Sequence, residues 1–213
     1  MTQRLLYVMD PLCSWCWGFA PVMDAIQATH PDLAIHMVAG GLRPGQREPM
    51  DAASRDALAE HWEAVEIASG QAFLSPADLP QGFVYNSEPP CRALVVGREL
   101  DASRVWRLVM AIQRAFYTEA LDVTQSALLV DLAEQAGYDR QAFSEHFDAE
   151  ITRAAIAADF SWTRDLGIAG FPTLLAQRNG QLALLTNGYQ SANQVLPLLE
   201  RWLAAGQGVK PAC

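Results

Sequence analysis

Five apolar residues, Leu5-Leu6-Tyr7-Val8-Met9, run without a polar interruption and stop at Asp10-Pro11. Successive side chains of a strand point to opposite sides, so a short, β-rich, unbroken apolar run reads as a strand buried on both faces. Such a strand needs a layer above it and a layer below. A helical pattern follows directly, with Phe19, Val22, Met23 and Ile26 at spacings of three and four. A second strand candidate, Leu33-Ala34-Ile35-His36-Met37-Val38, is ended by Ala39-Gly40-Gly41. Strand, helix, strand implies a parallel pair joined by a crossover helix.

At the first strand–helix junction stands Cys13-Ser14-Trp15-Cys16. Unpaired backbone N–H groups and the helix dipole there favour an anion, a thiolate included. Cysteines at i and i+3 share one helix face, close enough to bridge. The pattern therefore predicts a redox dithiol in which Cys13 is the attacking thiolate and Cys16 resolves. A zinc half-site or an inert structural disulfide would use the same spacing. Zinc wants about four ligands, and the chain has no second Cys-x-x-Cys; His30, His36, His61 and His146 are scattered. Asp10 reads better as a turn or cap residue than as a proton acceptor, because an anion there would raise the thiol pKa. Trp17 reads as core, Trp15 as exposed. Cys91, after Glu88-Pro89-Pro90, reads as a small buried hydrophobe rather than a third redox thiol; Cys213 has no assignable role.

Residues 51–150 carry helical spacing almost throughout. Leu58, Trp62 and Val65 form one set, Leu94 and Gly97 another, then Val105, Val109, Ile112 and Phe116, then Leu128, Leu132 and Gln135 up to Gly137. Asp139 is placed to cap a helix carrying Phe143 and Phe147. Proline-rich Ser75–Pro90 reads as a loop, as does Arg43–Met50. After a helix over Ile151–Leu166, ended by Gly167, come Gly170-Phe171-Pro172-Thr173, Leu174-Leu175-Ala176, Asn179-Gly180 and Leu182-Ala183-Leu184-Leu185. Asn-Gly between apolar runs is a strong hairpin signal. Ser191 with Gln194 forms a capping box for a last helix carrying Val195, Leu198, Leu199 and Trp202, with Gly206 as its end and Gly208–Cys213 as a frayed tail. These elements predict an α/β chain with one four-stranded mixed sheet, helices on both faces, and a helical insertion. The expected domains are residues 1–50 with 151–213, interrupted by 51–150.

The formal net charge of −9 argues against nucleic acid and anionic membrane surfaces as partners. The first apolar run is too short for the apolar region of a signal peptide. With four cysteines in 213 residues, the expectation is a cytoplasmic protein whose Cys-x-x-Cys is chemical rather than a structural staple.

Cys13-Ser14-Trp15-Cys16 together with Gly170-Phe171-Pro172-Thr173, in this order around a helical insertion, resembles the DsbA-like branch of the thioredoxin superfamily over about residues 4–205. The Asp10-Pro11 start and the Trp15-Cys16-Trp17 run are most similar to cytoplasmic DsbA-like proteins of the FrnE-like, dithiol–disulfide isomerase type. The resemblance implies a thioredoxin-like fold and a thiol–disulfide oxidoreductase or isomerase working through a mixed disulfide on Cys13. It also implies a cis Pro172 against the dithiol, with Trp15, Phe171, Pro172 and Thr173 near substrate; Thr173 serves equally well as a strand starter. Expected partners are disulfide- or dithiol-containing proteins or small thiols, with no tightly bound cofactor and with glutathione as a candidate co-substrate. The 2-hydroxychromene-2-carboxylate isomerases and kappa-class glutathione transferases share the architecture, and a glutathione-dependent isomerase or transferase is the alternative. Those proteins usually carry serine where this chain has Cys13. The periplasmic oxidant of the branch has Pro-His between its cysteines. Trp15 cannot stabilise a thiolate by charge, so a less oxidising couple is expected here.

Overall fold

The computed structural model describes residues 3–207; the tail at Gly208–Cys213, Cys213 with it, lies outside them. The four strands β1 (Gln3–Met9), β2 (Ala34–Ala39), β3 (Thr173–Arg178) and β4 (Gln181–Asn187) form one sheet in the order β2-β1-β3-β4. β2 runs parallel to β1, whereas β3 is antiparallel to both β1 and β4. Leu5 to Met9 are all buried, the two-sided covering that their unbroken apolar run requires. The Asn179-Gly180 turn has both residues at positive φ, 50° and 82°, the geometry of a two-residue hairpin that matches strand twist.

The helices are α1 (Ser14–Gly18), α2 (Ala20–Thr29), α3 (Ala52–Ser69), α4 (Glu88–Asp101), α5 (Val105–Glu119), α6 (Ser126–Gln135), α7 (Arg140–Asp148), α8 (Glu150–Asp165) and α9 (Ala192–Gln207). Asp51 and Asp139 cap α3 and α7 by accepting from Ser54 N and Ala142 N.

Four readings of the sequence shift in detail. The helix after the dithiol is broken at Phe19, because Pro21 has no N–H for the carbonyl of Trp17 and its ring crowds it. The Ser75–Pro90 loop is shorter than expected. It holds a 3-10 turn at Pro76–Asp78, and α4 starts at Glu88 with Pro89 and Pro90 in its first turn, where no N–H is missed. Gly206 does not end α9. A Cβ there would lie 2.2 Å from Arg178 Cζ, so the glycine admits an arginine that stacks on Trp202 at 4.2 Å. At Ser191 half of the capping box forms, with the Ser191 N–H donating to Gln194 Oε1.

Two buried clusters meet along α4 and α5. Ala93, Val96, Ile112 and Phe116 belong to one cluster with the other helices of 51–150. Cys91, Leu94, Val95 and Val109 belong to the sheet cluster with Tyr7, Met9 and Cys16. The outer edge of β2 is closed by helices. Asp159 of α8 accepts from Ala39 N at 2.8 Å, and Arg98 of α4 donates to the Met37 carbonyl at 2.8 Å and to Asp159 at 2.7 Å. This pair thus satisfies strand groups that no neighbouring strand reaches. Asp159→Ala strands a largely buried guanidinium and the Ala39 N–H together. A loss of about 3 kcal/mol is expected in urea unfolding, and a change below about 0.5 kcal/mol would show that solvent replaces the carboxylate.

Candidate functional site

The register of the sheet decides what comes together. Met9 pairs with Ala39 and Val8 with Thr173, so the end of β1, the end of β2 and the start of β3 share one edge. Asp10, Gly40 and Phe171-Pro172 converge there although they lie far apart in sequence.

The turn into α1 is held by Asp10. Its carbonyl accepts from Cys13 N at 3.0 Å and its Oδ1 from Leu12 N at 2.8 Å. Its Oδ2 accepts from Leu42 N at 2.6 Å and from Cys91 Sγ at 3.3 Å. The carboxyl is fully buried, and burial raises its pKa against the lowering effect of those donors. Asp10 is therefore the turn residue the sequence suggests, and Cys91 is a buried thiol hydrogen-bonded to it.

Cys13 occupies the N-cap position of α1, with extended backbone (φ −84°, ψ 113°). Its thiol donates to the Phe171 carbonyl at 3.5 Å, and the Phe171–Pro172 bond is cis. Cys16 is fully buried one turn on. Its thiol is pushed well up, first by burial and then by hydrogen bonding and charge from Cys13. The Cys91 thiol is likewise raised by burial, then by Asp10.

Cys13 opens onto a cleft of about 550 Å³, lined among others by Trp15, Arg43, His61, Tyr85, Gly170 and Phe171. Trp15 is half-buried rather than exposed: Tyr189 packs on it with ring centroids 5.5 Å apart and His61 stands edge-on at 6.0 Å. Trp17 is core as expected, stacked on Tyr117 at 6.0 Å and donating to the Ala72 carbonyl. Thr173 is buried; its hydroxyl donates to the Gly170 carbonyl at 2.8 Å and lies 3.1 Å from Asn187 Oδ1, so the side chain stabilises the loop. Pro172 is buried behind Phe171, and its carbonyl accepts from Gly188 N at 2.7 Å.

Gly40, Gly18, Tyr85 and His61 belong to this site without a sequence signal beyond two glycines. A Cβ on Gly40 would lie 2.3 Å from Phe171 Cε1, so the missing side chain seats the phenyl ring. A Cβ on Gly18 would lie 2.9 Å from Val65. That close approach of α3 to α1 brings His61, one turn earlier on α3, against Trp15. Tyr85 is buried, its pKa raised first by burial, and its neutral hydroxyl donates to the Leu12 carbonyl. Among the described residues, no three His, Cys, Asp or Glu side chains are grouped to hold a metal, and no helix is long and apolar enough to cross a membrane.

A thiol at a helix start, a buried partner one turn behind and a cis-proline loop facing them form a recognisable constellation. The family model described as a DSBA-like thioredoxin domain matches residues 4–199. The chain belongs to that family. It is similar to a candidate protein disulfide isomerase from Nitrosomonas europaea, at 34% identity and TM-score 0.89 over 96% of this chain and 99% of that one. It is also similar to DsbM, a cytosolic disulfide reductase from Pseudomonas aeruginosa, at 28% identity and TM-score 0.79 over 95% and 99% of the two chains. DsbM has also been solved with glutathione. In sequence, the ClpXP adapter protein SpxH of Halalkalibacterium halodurans is 22% identical over 78% of this chain and 56% of its own. The chain spans about half the length of the curated relatives it matches.

The site predicts a reactivity order. Cys13 is buried too but lines the cleft with 5% of its surface exposed, whereas Cys16 and Cys91 are fully enclosed with raised thiols. Iodoacetamide at pH 8 should label Cys13 in the folded protein and reach Cys16 and Cys91 only in denaturant, as read by peptide mapping. Labelling of all three at one rate would contradict this geometry. Folding raises the Cys16 and Cys91 thiols, so their contribution to stability is whole below the unfolded value of about 8.5 and is lost as pH rises through the folded values. The urea midpoint should fall above about pH 8.5, and less steeply in Cys91→Ala.

Proposed function

We propose that this protein is a thiol–disulfide oxidoreductase working through Cys13-Ser14-Trp15-Cys16. The observation that carries the proposal is the pairing of a cleft-lining Cys13, in contact with the Phe171 carbonyl, with a buried Cys16 one turn behind it. The Cys13 thiolate attacks one sulfur of a substrate disulfide, forms a mixed disulfide and releases the other half as a thiolate. Cys16 then gives up its proton and attacks Cys13 Sγ, closing the Cys13–Cys16 disulfide and releasing the second half. Two electrons pass from the dithiol to the substrate. The reverse sequence oxidises a dithiol, and partial turnover isomerises.

The second step has a physical trigger. Burial is the first cause that holds the Cys16 proton, and the influence of Cys13 that adds to it vanishes once Cys13 is bonded to substrate. The Cys16 thiol then becomes easier to ionise in the intermediate that needs it as a nucleophile.

Substrate on this proposal is a disulfide- or dithiol-containing protein or a small thiol, placed between Trp15 and the Phe171-Pro172-Thr173 backbone, with glutathione as co-substrate. The glutathione-bound DsbM structure supports the last point, and the cytosolic description of DsbM supports a cytoplasmic setting. Residues 51–150 act as an inserted helical domain on the frame of 1–50 and 151–213, and α3 and Tyr85 supply one wall of the cleft.

Cys16→Ala should arrest the cycle as a mixed disulfide on Cys13, seen as an added mass with insulin or with glutathione disulfide, and Cys13→Ser should abolish insulin reduction. Turnover that needs glutathione yet survives replacement of both cysteines by serine would instead assign the chain to the isomerase or transferase class.

A further inference from the structure

The cleft beside Cys13 has a charge that its surroundings do not explain. Acidic residues outnumber Lys and Arg by 24 to 15 over the chain, yet no described residue lining this cleft is a carboxylate and Arg43 supplies its sole guanidinium. Arg92, Arg98, Arg104 and Arg140 each sit on a carboxylate; the other described arginines do not, and of these Arg43 alone lines the cleft. Arg43 has none within ion-pair distance among the described residues.

The Arg43 side chain is exposed, but its backbone is held. Leu42 N donates to Asp10, Arg43 N donates to Ser87 Oγ at 2.9 Å, and the Arg43 carbonyl accepts from Ser87 N at 3.2 Å. The guanidinium lies over the ring of Tyr85 at 5.0 Å, and the hydroxyl of that same tyrosine donates to the carbonyl of Leu12, next to Cys13. One tyrosine thus links the cation to the turn that carries the reacting sulfur. A guanidinium stacked on an aromatic face is partly ordered before it meets an anion and keeps its donors free for a planar carboxylate.

We infer that the cleft selects small disulfides bearing a carboxylate close to the reacting sulfur, and that Arg43 is the residue that sets this preference. The inference rests on the thiol–disulfide reading of the site. The volume of about 550 Å³ suits a small molecule. In the step concerned, Cys13 displaces one half of the disulfide as a thiolate and keeps the other as a mixed disulfide, while the carboxylate pairs with Arg43. The overall charge of −9 would by itself favour a cationic disulfide, so the two effects predict opposite orders.

The test uses the full chain with Cys16→Ser and follows adduct formation at Cys13 by intact mass at low salt. Three compact disulfides differ in end charge: dithiodipropionate (anionic), hydroxyethyl disulfide (neutral) and cystamine (cationic). Each rate is divided by that of 2-mercaptoethanol with the same disulfide, which removes intrinsic reactivity. The expected normalised ratio of anionic to cationic disulfide is about fivefold, the scale of an exposed ion pair. It should shrink in about 0.5 M salt, where exposed charges are screened, fall to one or below in Arg43→Gln, and reverse in Arg43→Glu. A ratio at or below one with Arg43 present, or one unmoved by salt and by both variants, overturns the inference. No adduct with any of the three overturns the thiol–disulfide reading itself, and this inference with it.

Discussion

The buried carboxylate of Asp10 is the interaction on which the site depends. It holds the turn before Cys13 through Leu12 N, the chain beyond β2 through Leu42 N, and helix α4 through the Cys91 thiol. Removing a carboxylate from water costs several kcal/mol, and each hydrogen bond to a charged group contributes about 1.5–3 kcal/mol. The raised pKa shows that desolvation outweighs the donors at this position. Asp10 is thus better understood as a fastening between three segments than as a source of stability in its own right. The fastening fixes where the first cysteine stands relative to everything around it.

Topology supplies what Asp10 cannot. A parallel β1–β2 pair and an antiparallel β1–β3 pair bring two strand ends and one strand start to the same edge. Two glycines then allow close approach there, Gly40 to the ring of Phe171 and Gly18 to α3. The helices of 51–150 lean over this edge and turn an exposed helix start into a cleft wall. Because α4 and α5 contribute to both buried clusters, the cluster that holds Tyr85 and Trp62 of α3 is tied into the sheet core.

The two cysteines are made unlike by their surroundings. They stand one helical turn apart on the same short helix start, but one lines a cleft and meets a backbone carbonyl while the other is sealed beneath Tyr7 and Phe19 in the sheet cluster. In the proposed reaction this difference orders the steps. The cleft-lining sulfur meets substrate first, and the sealed one then loses the part of its proton's hold that Cys13 supplies, while burial keeps the larger part.

The sequence by itself determined the parts governed by local rules. An unbroken apolar run, Asn179-Gly180 and Asp139 each act over a few residues, and each stands in the fold as read. Local rules also erred where a distant group intervened. Gly206 reads as a helix end until Arg178 is seen filling its face, and Trp15 reads as exposed until Tyr189 and His61 pack against it. Only the tertiary structure decided that Asp10 meets Leu42 and Cys91, that Phe171 faces Cys13, and that Arg43 rests on the tyrosine bonded to Leu12. Those contacts span 32 to 158 residues of chain. Nothing in the spacing of residues encodes them. They follow from sheet register and from the space that glycines leave, both properties of the packed molecule.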